Sequence, residues 1–299
     1  MNAAMIGVDW GTSNMRGWAF DDAGEIVAQA ARPSGINAVT DGDFAAVLRE
    51  MVGGWTDGGT PIVMGGMIGS RQGWREAPYL PCPVRPEALA AAAMPIDTGT
   101  GPGWIVPGVS RVDAEGVADV MRGEEVQLLG AGIADGLVLL PGTHGKWVRI
   151  EGGAIITFRT FMTGELFALL KDRSLLGRLM APGRTDWDAF DRGVDRALHD
   201  PALTALLFTV RTEGLSGRTA PEALADYLSG LLIGAEIAGG GGTPGERISV
   251  IATGKLAERY ARALPHAGWP APELIAGEAA SIAGLRRVGQ AILKTAGRG

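Results

Sequence analysis

Short apolar runs alternate with small-residue turns along the chain, and the period of the hydrophobic positions assigns most elements. Residues 4–10, AMIGVDW, are an apolar run carrying a carboxylate near its end, and Gly-Thr-Ser-Asn follows as a turn. Met15 to Phe20 reads as a second strand, Asp21-Asp22-Ala23-Gly24 as a tight turn, and Glu25 to Ala30 as a third strand. Strands joined by such turns predict a meander. An apolar segment follows from Pro61 to Met67, then a Pro- and Gly-rich loop over residues 78–108 and a helix-like stretch from Val117 to Leu129. Helical patterns lie at Gly164–Leu170 and Pro221–Ala238, the latter apolar enough to be core. Gly239 to Gly242 reads as a flexible string, Arg247 to Ala252 as a strand that breaks at Thr253-Gly254 into a helix, Lys255 to Ala263, and Gly277 to Ile292 as a last helix.

The meander occurs twice. Leu137 to Leu140 is an apolar strand, Pro141-Gly142-Thr143-His144-Gly145 its turn, and Lys146 to Ile150 the returning strand. Glu151-Gly152-Gly153 then leads into Ala154 to Phe158. The pair Gly11-Thr12 recurs as Gly142-Thr143, 131 residues on, and the next turn glycines, Gly24 and Gly153, lie 129 apart. A strand–turn–strand–turn–strand unit repeated at nearly constant offset predicts two α/β domains of like topology, residues 1–130 and 131–299. At 299 residues, two domains with a cleft between them are also the expectation from length.

Composition narrows the function classes. With 46% hydrophobic and 20% charged residues the chain makes a folded body without long disordered tails. A formal charge of -6 and the absence of any basic run argue against nucleic acid or an anionic membrane as partner. The start, MNAAMIGVDWGTS, lacks the basic and apolar pattern of a signal peptide, and no apolar window is long enough to span a membrane. Cys82 is the single cysteine, which excludes an internal disulfide framework and fits a reducing, cytoplasmic setting. Between Pro81 and Pro83 it reads as a packed thiol.

Several nucleotide and hydrolase motifs are missing. Gly145-Lys146 is followed by Trp147 and Gly254-Lys255 by Leu256, so there is no P-loop. No dinucleotide fingerprint follows a strand, no nucleophile elbow is present, and His144, His199 and His266 fit no metal-ligand spacing. The two Gly-Thr turns remain. A Gly-rich turn after a buried strand offers backbone N–H groups and a hydroxyl to phosphate oxygens. Asp9, near the strand end, is placed to hold Mg²⁺, which keeps part of its water shell. The alternative is a plain hairpin capped by Asp9, which the matched second copy disfavours.

Four segments resemble the motifs of the actin, Hsp70 and sugar-kinase superfamily, in the order that superfamily requires. IGVDWGTSNMRGWAFD and LPGTHGKWVRIEGGAI are similar to its two phosphate motifs, SVIATGKLAERYARAL to its adenosine motif, and GEAASIAGLRRVGQAI to its second connecting helix. MGGMIGSRQGWREAPYLPCP, VMRGEEVQLLGA, PGTHGKW and FRTFMTGEL extend the resemblance, nearly end to end, to the 2-dehydro-3-deoxygalactonokinase family. The resemblance implies a two-domain actin-like ATPase (ribonuclease H-like) fold with duplicated domains and an interdomain cleft. It implies ATP and Mg²⁺ as cofactors and transfer of the γ-phosphoryl to the 6-hydroxyl of a sugar acid, 2-dehydro-3-deoxy-D-galactonate. Sugar acid and phosphate would fall to the first domain, and the second phosphate turn and adenosine to the second.

On that basis Asp9 is the magnesium-organising and catalytic carboxylate. Gly11, Thr12 and Ser13 meet the phosphate from one side, Gly142 and Thr143 from the other, and Arg16 and Lys146 lie just beyond the turns as candidates for phosphate or for surface salt bridges. Gly254 allows close backbone approach to adenosine. The catalytic base is sought among Asp119, Glu124 and Glu125; the resemblance favours Glu124, with hydroxyl orientation or magnesium waters as other roles for Glu124 and Glu125. Arg71 is the first candidate for the substrate carboxylate, with Arg122 and Arg75 behind it, and Ser70, Gln72 and Tyr79 line the expected sugar pocket. A different sugar-acid or sugar kinase, an ATP-driven switch protein, and a homodimer beside a monomer stay open.

Overall fold

The protein is described from a computed structural model covering residues 3–243 and 245–296. The chain forms two compact units, one of Met1–Asp135, Ile150–Thr157 and Ala276–Gly299, the other of Gly136–Arg149 and Phe158–Ile275.

The first stretch of chain carries β1 (Met5–Trp10), β2 (Met15–Phe20), β3 (Ile26–Arg32), α1 (Phe44–Val52), β4 (Ile62–Gly65), β5 (Tyr79–Pro81), α2 (Pro86–Ala91), β6 (Met94–Asp97), β7 (Pro102–Ile105), β8 (Gly108–Val112), β9 (Ala118–Met121) and α3 (Glu124–Ala131). Its main sheet has the order β3-β2-β1-β4-β7-β6. The first three strands are antiparallel, β4 and β7 add in parallel beside β1, and β6 closes the edge antiparallel. Strands β1 and β4 are buried along almost their whole length, as expected of strands covered on both faces. Ile6, Val8, Trp10, Met15, Ile62 and Met64 form the centre of this core. A small second sheet, β5-β8-β9, stands apart from the main one.

The second stretch carries β10 (Gly136–Leu140), β11 (Gly145–Glu151), β12 (Ala154–Phe161), α4 (Thr163–Arg173), α5 (Trp187–His199), α6 (Leu203–Leu215), α7 (Leu224–Gly239), β13 (Ile248–Ile251), α8 (Gly254–His266), β14 (Glu273–Ile275) and finally α9 (Gly277–Ala296). Its sheet order is β12-β11-β10-β13-β14, with β13 parallel to β10 and β14 parallel to β13. In both sheets a three-strand meander is extended by parallel strands on the far side of its first strand. The two sheets thus repeat one arrangement, as the resemblance to the actin-like ATPases implies. Helix α7 is buried nearly all round, which explains its mostly apolar sequence. It meets α5 backbone to backbone, because Gly193 and Gly230 carry no side chain where the helices cross; a Cβ on either would lie 2.4 and 2.1 Å from a carbonyl oxygen of the other helix.

Three local expectations are corrected. Val117 to Leu129 is not one helix: β9 comes first, and Gly123 with φ of 106° breaks the chain before α3. The stretch 78–108 holds β5, α2, β6 and β7 instead of an unbroken loop. Gly239 to Gly242 is a packing site in part, since a Cβ on Gly240 would lie 2.4 Å from the Trp147 ring.

Helix α9 belongs to the first unit, lying against α3 with Leu285 over Gly7 of β1. The contact depends on two glycines: a Cβ on Gly130 would fall 1.8 Å from the Ala280 carbonyl, and one on Gly284 1.9 Å from that of Val126. Gly284→Ala is therefore expected to destabilise the protein by about 2 kcal/mol or more through overpacking, measured by urea unfolding. Gly54→Ala, whose Cβ meets nothing within 4 Å, serves as control. Equal unfolding midpoints for the two variants would contradict this packing.

Candidate active site

In the first unit, the β1–β2 turn is held from behind. The amides of Gly35, Ile36 and Asn37 donate to the carbonyls of Ser13 (3.1 Å), Gly11 (3.0 Å) and Thr12 (3.2 Å). Thr12 and Ser13 are exposed on the other side and Gly11 is half-buried. The fit is tight, because a Cβ on Gly35 would lie 2.3 Å from the Thr12 carbonyl oxygen. Asp9, on β1, is half-buried and pairs in register with Arg16 on β2 and Gly65 on β4. Its carboxyl is raised above the usual range by burial, a shift opposed by Arg16 and increased by Glu124.

Two glycines bring Glu124 toward Asp9. Gly66, with φ of 90°, lies beside Asp9 Oδ1, and Gly123 sits against Gly66. Helix α3 therefore starts close to the end of β1, and its positive end favours nearby carboxylates. Glu124 Oε2 accepts from the Arg122 amide at 3.1 Å. Glu125 is fully buried and both of its oxygens accept from the Gly123 amide, at 2.9 and 2.7 Å. Burial first, then Glu124, push the Glu125 carboxyl up to about 8, against the Gly123 and Glu125 amides and the Arg122 charge. Asp119 lies elsewhere, on β9 opposite Arg111, with its carboxylate on the Val120 amide at 2.8 Å.

Of the six residues expected around a sugar acid, Ser70, Tyr79 and Arg122 have buried or shared surroundings. Arg122 is buried, donates from Nη2 to the Ala77 carbonyl (2.7 Å) and from Nε to the Tyr79 hydroxyl (3.3 Å), and lies over the Tyr79 ring at 4.2 Å. Its Nη1 packs toward Gly69, next to Ser70, whose hydroxyl is buried; neither Nη1 nor that hydroxyl has a hydrogen-bond partner. Arg71 is exposed in the turn after Ser70, with Gln72 and Arg75 also exposed. Trp74 stacks on Phe44 at 6.2 Å and packs against the core. Burial pushes the Cys82 thiol up to about 11, in keeping with a packed, unreactive thiol.

In the second unit, the Gly142–Thr143 turn is held by the start of α4. A Cβ on Gly164 would lie 2.3 Å from the Gly142 carbonyl oxygen, and the Glu165 amide donates to the Thr143 carbonyl at 3.0 Å. Thr143 is exposed, whereas Lys146 is buried and turns back so that Nζ donates to the His144 carbonyl at 2.9 Å. Beside this turn opens a cavity of about 630 Å³, lined among others by Gly142, Thr163, Asp226, Lys255, Arg259 and Tyr260. Gly254, with φ of 60°, starts α8 next to Lys255, and a Cβ there would meet nothing within 4 Å. Arg259 is ion-paired with Asp226, whose other oxygen accepts from the Asp186 amide at 2.7 Å.

The structure thus groups Asp9, Glu124 and Glu125 in one unit, and Gly142 and the α8 start in the other. Among the described residues no group of three His, Cys, Asp or Glu side chains is set to hold a metal ion. A single half-buried carboxylate, Asp9, suits a cation that retains most of its waters, as Mg²⁺ does. No described helix is long and apolar enough to cross a membrane. Periodicity did not single out Gly35–Asn37, Thr163 or Glu236; Thr163 was visible only inside the FRTFMTGEL motif.

A model of the 2-keto-3-deoxy-galactonokinase family matches residues 9–288. The chain belongs to that family. It is 36% identical over 296 residues to the 2-dehydro-3-deoxygalactonokinase of Escherichia coli (strain K12), covering 98% of this chain and 99% of that protein. It is 37% identical to a probable 2-dehydro-3-deoxygalactonokinase of Rhizobium meliloti (strain 1021), with 95% and 96% covered. A crystal structure from Sinorhizobium meliloti, provisionally assigned to the same activity, superposes with a TM-score of 0.90 at 35% identity, covering 96% of this chain and 99% of that one. In this galactonokinase-family chain the match takes in Asp9, both Gly-Thr turns, the acidic start of α3 and Gly254.

The raised Glu125 carboxyl has a consequence for stability. A group held above its unfolded value favours folding fully below pH about 4.5, and that contribution is lost as pH rises through about 8. The unfolding free energy from urea titrations is expected to fall between pH about 5.5 and about 8.5, by an amount on the order of a few kcal/mol. Glu125→Gln is expected to reduce that slope, leaving what Asp9 and the buried Glu236 contribute. An unchanged slope would show that Glu125 is ionised in the folded protein.

Proposed function

We propose that the protein transfers the γ-phosphoryl of ATP to the 6-hydroxyl of 2-dehydro-3-deoxy-D-galactonate, giving 2-dehydro-3-deoxy-6-phosphogalactonate. The observation that carries this is near full-length membership in the galactonokinase family, with Asp9 and both Gly-Thr turns falling inside the match. In this reading residues 1–130 hold the sugar acid and the first phosphate turn, and residues 131–299 the second phosphate turn and adenosine.

Each residue's part follows from its surroundings. Bound with ATP, Mg²⁺ supplies positive charge at the phosphate oxygens, and Asp9 would hold it through its waters. Thr12, Ser13 and Thr143, exposed on turns fixed from behind, offer hydroxyls and amides to those oxygens at little cost in reordering. Gly142, on the cavity lining, and Gly254, next to Lys255 of that lining, leave open space for a nucleotide to approach the backbone. Glu124, half-buried at the start of α3, is the base for the 6-hydroxyl proton, and Glu125 holds the Gly123 turn that aims it. Arg16 faces Asp9, while Lys146 places its charge behind the second turn. Arg71 and Arg122 are the candidates for the substrate carboxylate, with Ser70 and Tyr79 beside Arg122. A cytoplasmic site of action belongs to the same reading, because the reaction consumes cellular ATP.

Two substitutions test these parts. Asp9→Asn is expected to lower kcat by about a hundredfold or more while leaving the KM of the sugar acid near that of wild type, since it removes charge organisation and not sugar contacts. NMR of the wild-type product should place the phosphate on C6. Asp9→Asn at full rate, or phosphate on another carbon, would overturn the assignment. Arg122→Met and Arg71→Met, compared by the KM of the sugar acid, identify the carboxylate anchor as the one whose loss raises KM about tenfold or more. If neither raises it, both assignments fail.

A further inference from the structure

A deeply buried acid of the other unit lies outside every role assigned above. Glu236, on α7, is 2% exposed. Its Oε1 accepts from the Trp147 indole at 3.0 Å and its Oε2 from the Tyr260 hydroxyl at 2.7 Å. The Thr163 hydroxyl hydrogen-bonds to the same carboxyl. These partners come from three separate elements. Trp147 follows the Gly142–Thr143 turn on β11, Thr163 starts α4, and Tyr260 lies on α8. Thr163 and Tyr260 both line the cavity.

Glycines make the arrangement possible. A Cβ on Gly145 would lie 3.1 Å from Glu236 Oε1, so the strand leaving the turn runs directly over the carboxyl. Gly240, at the end of α7, gives the Trp147 ring the space that a side chain would occupy. Burying a carboxyl is costly, and burial raises this one above the usual carboxylate range. No basic side chain is among the partners that offset this cost; two hydroxyls and an indole serve instead. An apolar residue of similar size would fill the same core position without that cost, so core packing alone does not account for the acid.

We propose that Glu236 is a positioning residue for the nucleotide, tying the second phosphate turn to the α4 and α8 walls of the cavity through Trp147, Thr163 and Tyr260. The proposal rests on the cavity being the nucleotide site. Glu236 touches no ligand itself; it sets the spacing between the turn and the cavity walls.

The test uses Glu236→Leu, Glu236→Gln and Tyr260→Phe in the full chain, with ADP affinity by calorimetry and the KM of the sugar acid as readouts. The indole N–H only donates, so a Gln carbonyl can face it while its amide faces the hydroxyls, which also accept. Glu236→Leu is expected to weaken ADP binding by about tenfold or more, with the sugar-acid KM within about twofold of wild type, and Glu236→Gln to recover most of the loss. Tyr260→Phe, which removes one hydroxyl and keeps the core filled, is expected to weaken ADP about threefold, and decides the matter if the Leu variant does not fold. Wild-type ADP affinity in folded Glu236→Leu or in Tyr260→Phe would overturn the proposal, as would a loss that Gln does not recover. If wild-type protein binds ADP but phosphorylates no sugar acid, the kinase reading fails while the Glu236 result stands. If it binds no ADP, both fail.

Discussion

If the two Gly-Thr turns cradle phosphate, as we propose, their amides and hydroxyls must stay in place when the ligand arrives. A glycine-containing turn is intrinsically free, so its rigidity must come from outside. Here it comes from a following segment that reaches the turn at a glycine. Gly35 presses on the Thr12 carbonyl, and Gly164 on the Gly142 carbonyl; at each place a Cβ would lie 2.3 Å from the oxygen. The segments differ, a 3-10 turn at Ile36–Ala38 in one unit and the start of α4 in the other, yet the means of restraint is the same. Carbonyls are engaged from behind while Thr12 and Thr143 remain exposed.

The buried acids follow from the same need for fixed geometry. Glu125 holds the Gly123 turn from which α3 starts, and Glu236 holds three elements around the cavity. Neither forms an ion pair by itself; each is stabilised by amides, hydroxyls or an indole, with Arg122 contributing at a distance to Glu125. Such groups cost desolvation free energy and return directional restraint, which apolar packing does not supply. Burial raises both carboxyls above the usual carboxylate range.

Much of this was legible in the sequence. The two meanders, their Gly-Thr turns and the strand-to-helix break at Gly254 were readable from apolar runs and turn residues, because those features are local. Local patterns also misled. Val117 to Leu129 has helix-like composition, but Gly123 needs a positive φ and divides it into β9 and α3. Gly239 to Gly242 reads as flexible, although Gly240 is required for the packing of Trp147. Glu236 sits in a mostly apolar helix whose pattern says only that it is core; two of its partners, Tyr260 and Trp147, lie 24 and 89 residues away. The return of α9 to the first unit was equally hidden, since Gly130 and Gly284 have meaning only when their helices meet.

The most direct measurement is an ADP-release assay with Mg-ATP across 2-dehydro-3-deoxygalactonate, its gluconate epimer and neutral hexoses. The account predicts strong turnover with the galactonate compound, little with neutral hexoses, and almost none with ATP alone. Turnover with neutral hexoses and not with the acid, or steady ATP hydrolysis that no sugar acid stimulates, would contradict it.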